Sequence, residues 1–460
     1  MFCRLYCLMH KYAKIILRKN ITDFKRFQMV DFNDRDFDGN QYLDTERLGI
    51  KECVNEFKPQ DTYILKNQVY PKENLVVCSD RSSVKESYKR KHSRLHFCGD
   101  LREAATLWQT FIDRAVIPEG YRNAGLCYAG YIHEYQAWCL PSWIWTNAAA
   151  VRYFCSTQNV TFAKCMGDIL LDLQTDCGGW IVRNDYGRDS MIPQLAPNDS
   201  AYIANNACLS LYDATKDVKY LDAARGCAEW IMETARPDGF VYLGFDTKNQ
   251  VWLKDKNIVD TGFTAGLFAR MYEITGEEKY KGFLSNFIDK YIELFYDTDK
   301  KLFATAINAQ DRRLGGSFGR GQAWALEGLI PAWRVLQSEE LKQIIQNLVD
   351  QLLLLQTRNG GWAYNFDKPL MGVDCKAVPV IAYSLLKWYE CNMDKRIFAA
   401  VKKALKWSAC HTSKDGEGMG GIFSFTMEGA VVHHLYTNTA FVYSSVYALE
   451  VKNKMEKESI

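Results

Sequence analysis

The sequence predicts an all-α fold, an (α/α)6 toroid of six helical hairpins carrying a small N-terminal extension. Three observations support this. A polar or aromatic helix restart recurs near Trp145, Asp199, Asp260, Arg320, Asp374 and Asn438, at spacings of 54, 61, 60, 54 and 64 residues. That period matches no ankyrin, tetratricopeptide or propeller unit and suits two long helices with two loops. Within each unit the first helix is apolar and rich in small residues, as at Ala148-Ala149-Ala150 and at Ala201, Ala204 and Ala207, whereas the second is charged on one side, as from Lys216 to Arg225 and from Glu339 to Gln346. Helices apolar on most faces belong in an inner ring, and amphipathic ones belong outside it. Finally, a Gly-aromatic or Gly-aliphatic turn recurs at Gly178-Gly179-Trp180, Asp238-Gly239-Phe240, Gly360-Gly361-Trp362 and Gly420-Gly421-Ile422. Glycine there ends the outer helix and the residue after it begins the return toward the next inner one.

Taken in order, residues 1–98 read as a charged appendage of unassigned role, and residues 99–455 as the barrel. In the appendage, Asp34, Asp36, Asp38, Gly39 and Glu46 imitate a calcium loop, but the closing acid comes one residue late, so an acidic turn is expected. From Leu101 apolar residues recur at three-and-four spacing through Trp108 and Ile112, which predicts a lone outer helix. Hairpins are then expected over 142–156 with 160–174, 199–214 with 218–235, 260–275 with 279–296, 320–336 with 339–356 and 374–391 with 395–409. A last helix over 438–451 would pair with the first and close the ring.

Composition narrows the function classes. Lys and Arg number 57 against 55 Asp and Glu, a formal charge of +2, which supplies no general field for nucleic acid or an anionic membrane. Fifteen cysteines, an odd number with no CxxC pair, argue against a disulfide framework or a zinc ribbon and favour a reducing cytoplasm. The basic first twenty residues hold no aliphatic run longer than Ile15-Ile16-Leu17, too short for a signal-peptide core, and no run of about 18 apolar residues occurs to span a membrane. No cofactor or metal is expected. With 12 Trp, 26 Tyr and 24 Phe, the chain has rings enough for its core and for stacking on sugars.

If the ring closes, the starts of the inner helices share one mouth, lined by Trp143, Trp145, Asp199, Asp260, Arg320, Gln322, Trp324 and Asp374. Acids at helix starts are also ordinary N-caps, so for the Asp residues a capping role stands beside a chemical one. The accompanying Trp, Arg and Gln make a mixed surface of the kind that binds a sugar.

The segment Gly319-Arg320-Gly321-Gln322-Ala323-Trp324 resembles the R-G-Q-A-W element of glycoside hydrolase family 88, the unsaturated glucuronyl hydrolases, with a variant in the unsaturated rhamnogalacturonyl hydrolases. Asp260 ahead of Thr275-Gly276-Glu277-Glu278-Lys279-Tyr280, and Asp199 ahead of Thr215-Lys216-Asp217-Val218-Lys219-Tyr220, resemble the family's two active-site acids in register. Trp145-Thr146-Asn147 is similar to its F-W-T-G start, and Val373-Asp374 followed by Ala377 to its D-S-S-A start. The likeness covers roughly residues 140–450. It departs where the family's loop histidine is missing between Phe303 and Phe318, with His433 and His434 as distant substitutes, and where Tyr436-Thr437-Asn438 stands for G-D-Y-Y.

The resemblance implies hydration of the C4=C5 double bond of a terminal unsaturated uronic acid, with Asp260 as acid then base and Asp199 raising its pKa or holding sugar hydroxyls. Arg320 is the first candidate for the uronate carboxylate, with Arg183 and Arg188 behind it; Gln322 for a hydroxyl or the water; Trp145 and Trp324 for stacking. Trp143, Asp374 and His434 complete the expected binding set. Another carbohydrate enzyme on the same toroid, a glycosidase, epimerase or lyase, stays open, as does a non-catalytic sugar-binding barrel.

Overall fold

The computed structural model describes residues 97–458, apart from 118, 120–123, 133–136, 140–144, 183–193, 248–249, 255, 315, 368, 370–372, 415, 417 and 424–438, together with two short strands further upstream. The calcium-like stretch, Trp143, Arg183, Arg188, His433 and His434 lie outside the described residues, as does Asn438.

Six inner positions are filled by α2 (Trp145–Ser156), α4 with α5 (Pro197–Ile203 and Leu209–Thr215), α7 (Phe263–Thr275), α9 (Gly319–Leu336), α11 (Ala377–Asn392) and α13 (Val442–Glu458). Six outer positions are filled by α1 (Leu101–Ala115), α3 (Val160–Asp172), α6 (Val218–Glu233), α8 (Glu278–Phe295), α10 (Glu339–Leu355) and α12 (Lys395–Cys410). Each inner element packs on the next, and α13 packs against both α2 and α1, so the ring closes. The chain therefore folds as the expected (α/α)6 toroid. Burial follows the apolar pattern: in α11 every residue from Ala377 to Leu386 is buried, whereas α12 buries one stripe that includes Ile397, Val401 and Leu405.

The two ends of the barrel are built differently. Each of the five inner-to-outer turns is two or three residues long and holds one residue in the left-handed region: Gln158, Lys216, Gly276, Gln337 or Met393. The outer-to-inner connections are long and hold the short strands. Gly178, Gly239, Gly360 and Gly420 all have positive φ, from 82° to 107°. A Cβ at Gly178 would lie 2.4 Å from the Gly226 carbonyl oxygen, and one at Gly360 2.4 Å from that of Lys403, so side chains are excluded there. The repeat extends to hydrogen bonds. Trp180 Nε1 donates to the Leu170 carbonyl at 2.7 Å and Trp362 Nε1 to that of Leu352 at 2.8 Å, while Gln174 and Gln356 each donate to the glycine carbonyl of their own turn.

The long connections form antiparallel sheets over the ends of the inner helices. β9 (Lys256–Ile258) pairs with β12 (Ala306–Asn308), which pairs with β13 (Arg313–Leu314). A five-stranded sheet joins β14 (Thr439–Phe441), β3 (Gly130–Ile132), β4 (Ala137–Cys139), β1 (Tyr63–Leu65) and β2 (Gln68–Val69) in that order. The upstream segment thus contributes two strands, Tyr63 pairing with Cys139. The last inner helix begins at Val442, later than expected, because Thr439-Ala440-Phe441 pair with β3 as a strand. No described helix is long and apolar enough to cross a membrane.

Candidate active site

The acids at the inner-helix starts are not caps. α4 begins after Ala196, the 3-10 turn Val259–Gly262 after Ile258, and α11 after Lys376, each without a side-chain cap. Polar caps occur on outer helices instead, where Asp100, Asp217, Ser338 and Asp394 accept backbone N–H bonds. Asp199 and Asp260 sit inside their first turns, free for another use.

Asp260 is held by its backbone neighbours. The Tyr291 hydroxyl of α8 donates to the Val259 carbonyl at 2.6 Å, the Val259 amide donates to Thr305 at 2.9 Å, and the Thr261 hydroxyl donates to Asn257 Oδ1. Burial pushes the Asp260 carboxyl up to about 7, and Arg320, a hydrogen bond from Asn198 and the amides of Asp260 and Thr261 keep it from rising further. Its Oδ1 is buried without a hydrogen-bond partner among the described residues. Asp199 is pushed well above the carboxylate range by burial and then by the charge of Asp260. The two titrate as a pair, and the cation beside Asp260 makes it the first to lose its proton. Burial and mutual repulsion thereby hold both carboxyls above the ordinary carboxylate range, with Asp260 near neutrality.

Arg320 is buried, donates from Nη1 to the Tyr443 hydroxyl at 2.6 Å, and stacks its guanidinium 4.6 Å from the Trp324 ring centroid. The stacking follows from helix geometry, since residues four apart share a face. Trp324 meets Phe263 edge-on at 5.9 Å. One ring face of Trp324 is therefore covered by Arg320, and the side chain is half-buried.

Two further residues of the expected set bond within the protein. Gln322 is fully buried: its Oε1 accepts from the Phe303 amide at 2.7 Å, and its Nε2 donates to the Phe303 carbonyl at 2.8 Å and the Phe318 carbonyl at 2.9 Å. Its amide is committed to clamping β11 (Leu302–Phe303). Asp374 is 1% exposed and ion-paired with Lys376 at 2.9 Å.

Lys376 and Tyr443 were not anticipated. Burial lowers the Lys376 ammonium to about 8 against the pull of Asp374, and Arg320 lowers it further. A Lys two residues past an inner-helix acid was the available signal; Tyr443 gave none, because its helix begins later than the pattern suggests. The backbone of Trp145 starts α2 as expected, but its side chain, like Trp143 and His434, is outside the described residues. The described residues contain no cluster of His, Cys, Asp or Glu able to hold a metal ion.

The site is a half-buried carboxyl pair with a buried Arg and a buried Lys at the mouth of an α-barrel. Comparisons agree with that architecture. The fold matches an unsaturated glucuronyl hydrolase of Bacillus sp. GL1, responsible for the degradation of glycosaminoglycan, at TM-score 0.61 and 15% identity, covering 78% of this chain and 97% of that one. An unsaturated glucuronyl hydrolase specific for heparin matches at 0.62 and 15%, covering 78% and 98%. Cellobiose 2-epimerase from Bacillus thermoamylovorans matches at 0.59 and 14%, covering 78% and 99%. At such identities these likenesses speak for the fold alone. No curated protein matches the chain in sequence. The model of glycosyl hydrolase family 88, however, matches residues 141–451, more than half of the chain. The chain therefore belongs to glycosyl hydrolase family 88 and is a glycoside hydrolase of the six-hairpin superfamily.

Proposed function

We propose that the protein hydrolyses short oligosaccharides ending in an unsaturated uronic acid by hydrating the C4=C5 double bond. Asp260, protonated at rest, delivers its proton to C4, and positive charge develops on C5 and the ring oxygen. The resulting carboxylate takes a proton from the water that attacks C5, and the hemiketal then opens and releases the chain. A group that must give and then take a proton works best with a pKa near the working pH, and about 7 for Asp260 meets that need. Asp199, held protonated, bonds to sugar hydroxyls, and Arg320 and Lys376 attract the uronate carboxylate.

The observation that carries this reading is the unequal carboxyl pair beside a buried Arg in a family 88 chain. The epimerase neighbour shares only the fold. The test is incubation with unsaturated disaccharides released by lyases from chondroitin, heparin, gellan and pectin. Loss of the ultraviolet absorbance of the conjugated double bond on at least one is expected. Intact absorbance on all of them overturns the proposal.

A further inference from the structure

The opposite end of the barrel holds a second cavity, of about 630 Å3. Its wall takes Ser156, Ser210, Arg270, Arg334, Lys387 and Lys454, one from the far half of each inner-ring position. Five of those halves end in the short turns, so this cavity faces away from Asp199 and Asp260. Its floor is a tight polar network. Arg152 donates to both oxygens of Glu450, at 2.9 and 2.6 Å, and to Asn206 at 2.6 Å. Tyr447 donates to Glu327, and its hydroxyl lies 2.6 Å from that of Tyr202, the residue one turn below Asp199. This layer separates the two sites.

The wall is richer in cations than in anions: six Lys or Arg side chains against four Glu. Glu450 is matched by Arg152. Arg334 makes no ion pair among the described residues and only a 3.5 Å contact to Cys391 Sγ. Lys454 and Lys387 share a single carboxylate, Glu390, with Lys387 3.9 Å from it, and burial and then the like charge of Lys454 lower the Lys387 ammonium to about 7 against the pull of Glu390. A different observation asks for a hydroxyl. Asn205 Oδ1 is buried with no partner among the described residues, and it sits on the cavity wall in a π-helical turn, Ala204–Cys208, of the kind that recurs at functional sites. A buried acceptor left empty wants a donor.

We propose that this cavity is a second binding site, for a small polyhydroxylated anion such as a sugar phosphate or a sugar acid. Its anionic group meets Arg334, Lys387 and Lys454, and a hydroxyl donates to Asn205. The volume suits a ligand of one or two sugar rings. This inference is independent of the reaction assigned to the mouth.

Calorimetric titration with glucose 6-phosphate, glucuronate, inorganic phosphate and glucose tests it. Glucose 6-phosphate or glucuronate is expected to bind more tightly than glucose, and the tighter of the two tells a phosphate source from a carboxylate one. Arg334→Gln and Lys387→Met should each weaken that binding about tenfold, the effect of one charge-assisted hydrogen bond, with Arg320→Met leaving it unchanged. Arg334 is exposed, so its substitution leaves the fold intact even where Lys387→Met does not. Binding by neither anion, equal binding of glucose, or binding that survives Arg334→Gln and is lost in Arg320→Met overturns the proposal.

Discussion

Asp260→Asn is expected to lower kcat about a thousandfold, the scale of a lost general acid and base, while leaving the melting temperature equal to or above that of the parent at pH 7 to 8. The two halves of this result have one cause. The carboxyl is raised by burial to about 7 in the folded protein. Between its ordinary value and 7 the folded state keeps a proton that the unfolded state has lost. Stability contributed by the protonated form is therefore lost as pH rises toward 7, and a neutral amide removes that dependence. Asp260 caps no helix, so its replacement opens no helix end. A sharp fall in melting temperature with activity retained would mark it as structural.

Arg320→Met should act on two readouts at once. KM for a uronate substrate should rise roughly tenfold to a hundredfold as a charge-assisted contact is lost. The alkaline limb of kcat, set by the proton on Asp260 and expected near 7, should move to higher pH, because Arg320 is what restrains the rise of that carboxyl. Met fills much of the same space against Trp324, and Arg320→Lys, which keeps the charge, should hold the limb in place. A KM change with an unmoved limb would separate the guanidinium from Asp260 and contradict the proposed electrostatics.

How much of this was legible in the sequence depends on how local the chemistry is. The turns at Gly178 and Gly360 are legible because a positive φ with a backbone carbonyl oxygen 2.4 Å from the missing Cβ excludes every side chain. The turns at the far end were harder, since Lys216, Gln337 and Met393 occupy left-handed positions where glycine would have advertised them. Asp199 and Asp260 stood out because the repeat placed them at inner-helix starts, but only the cap geometry separated them from structural acids. Gln322 misled for a simple reason. Two residues along a helix turn the side chain by about 200°, so Gln322 faces Phe303 while Arg320 and Trp324 share the other side. Asp374 precedes α11 by three residues, in a turn where Lys376 claims it. The far cavity was invisible because its wall is assembled from all six inner-ring positions, each with an unremarkable polar residue.

In the proposed reaction the carboxyl pair adds water across a carbon–carbon double bond and does not cleave the glycosidic bond directly. Its most direct test is the position of solvent atoms after turnover of an unsaturated disaccharide in deuterium oxide and, separately, in oxygen-18 water. Mass spectrometry should find one deuterium at C4 and the oxygen label at C5. Label at the anomeric carbon of the released sugar, with the double bond intact, would contradict the account.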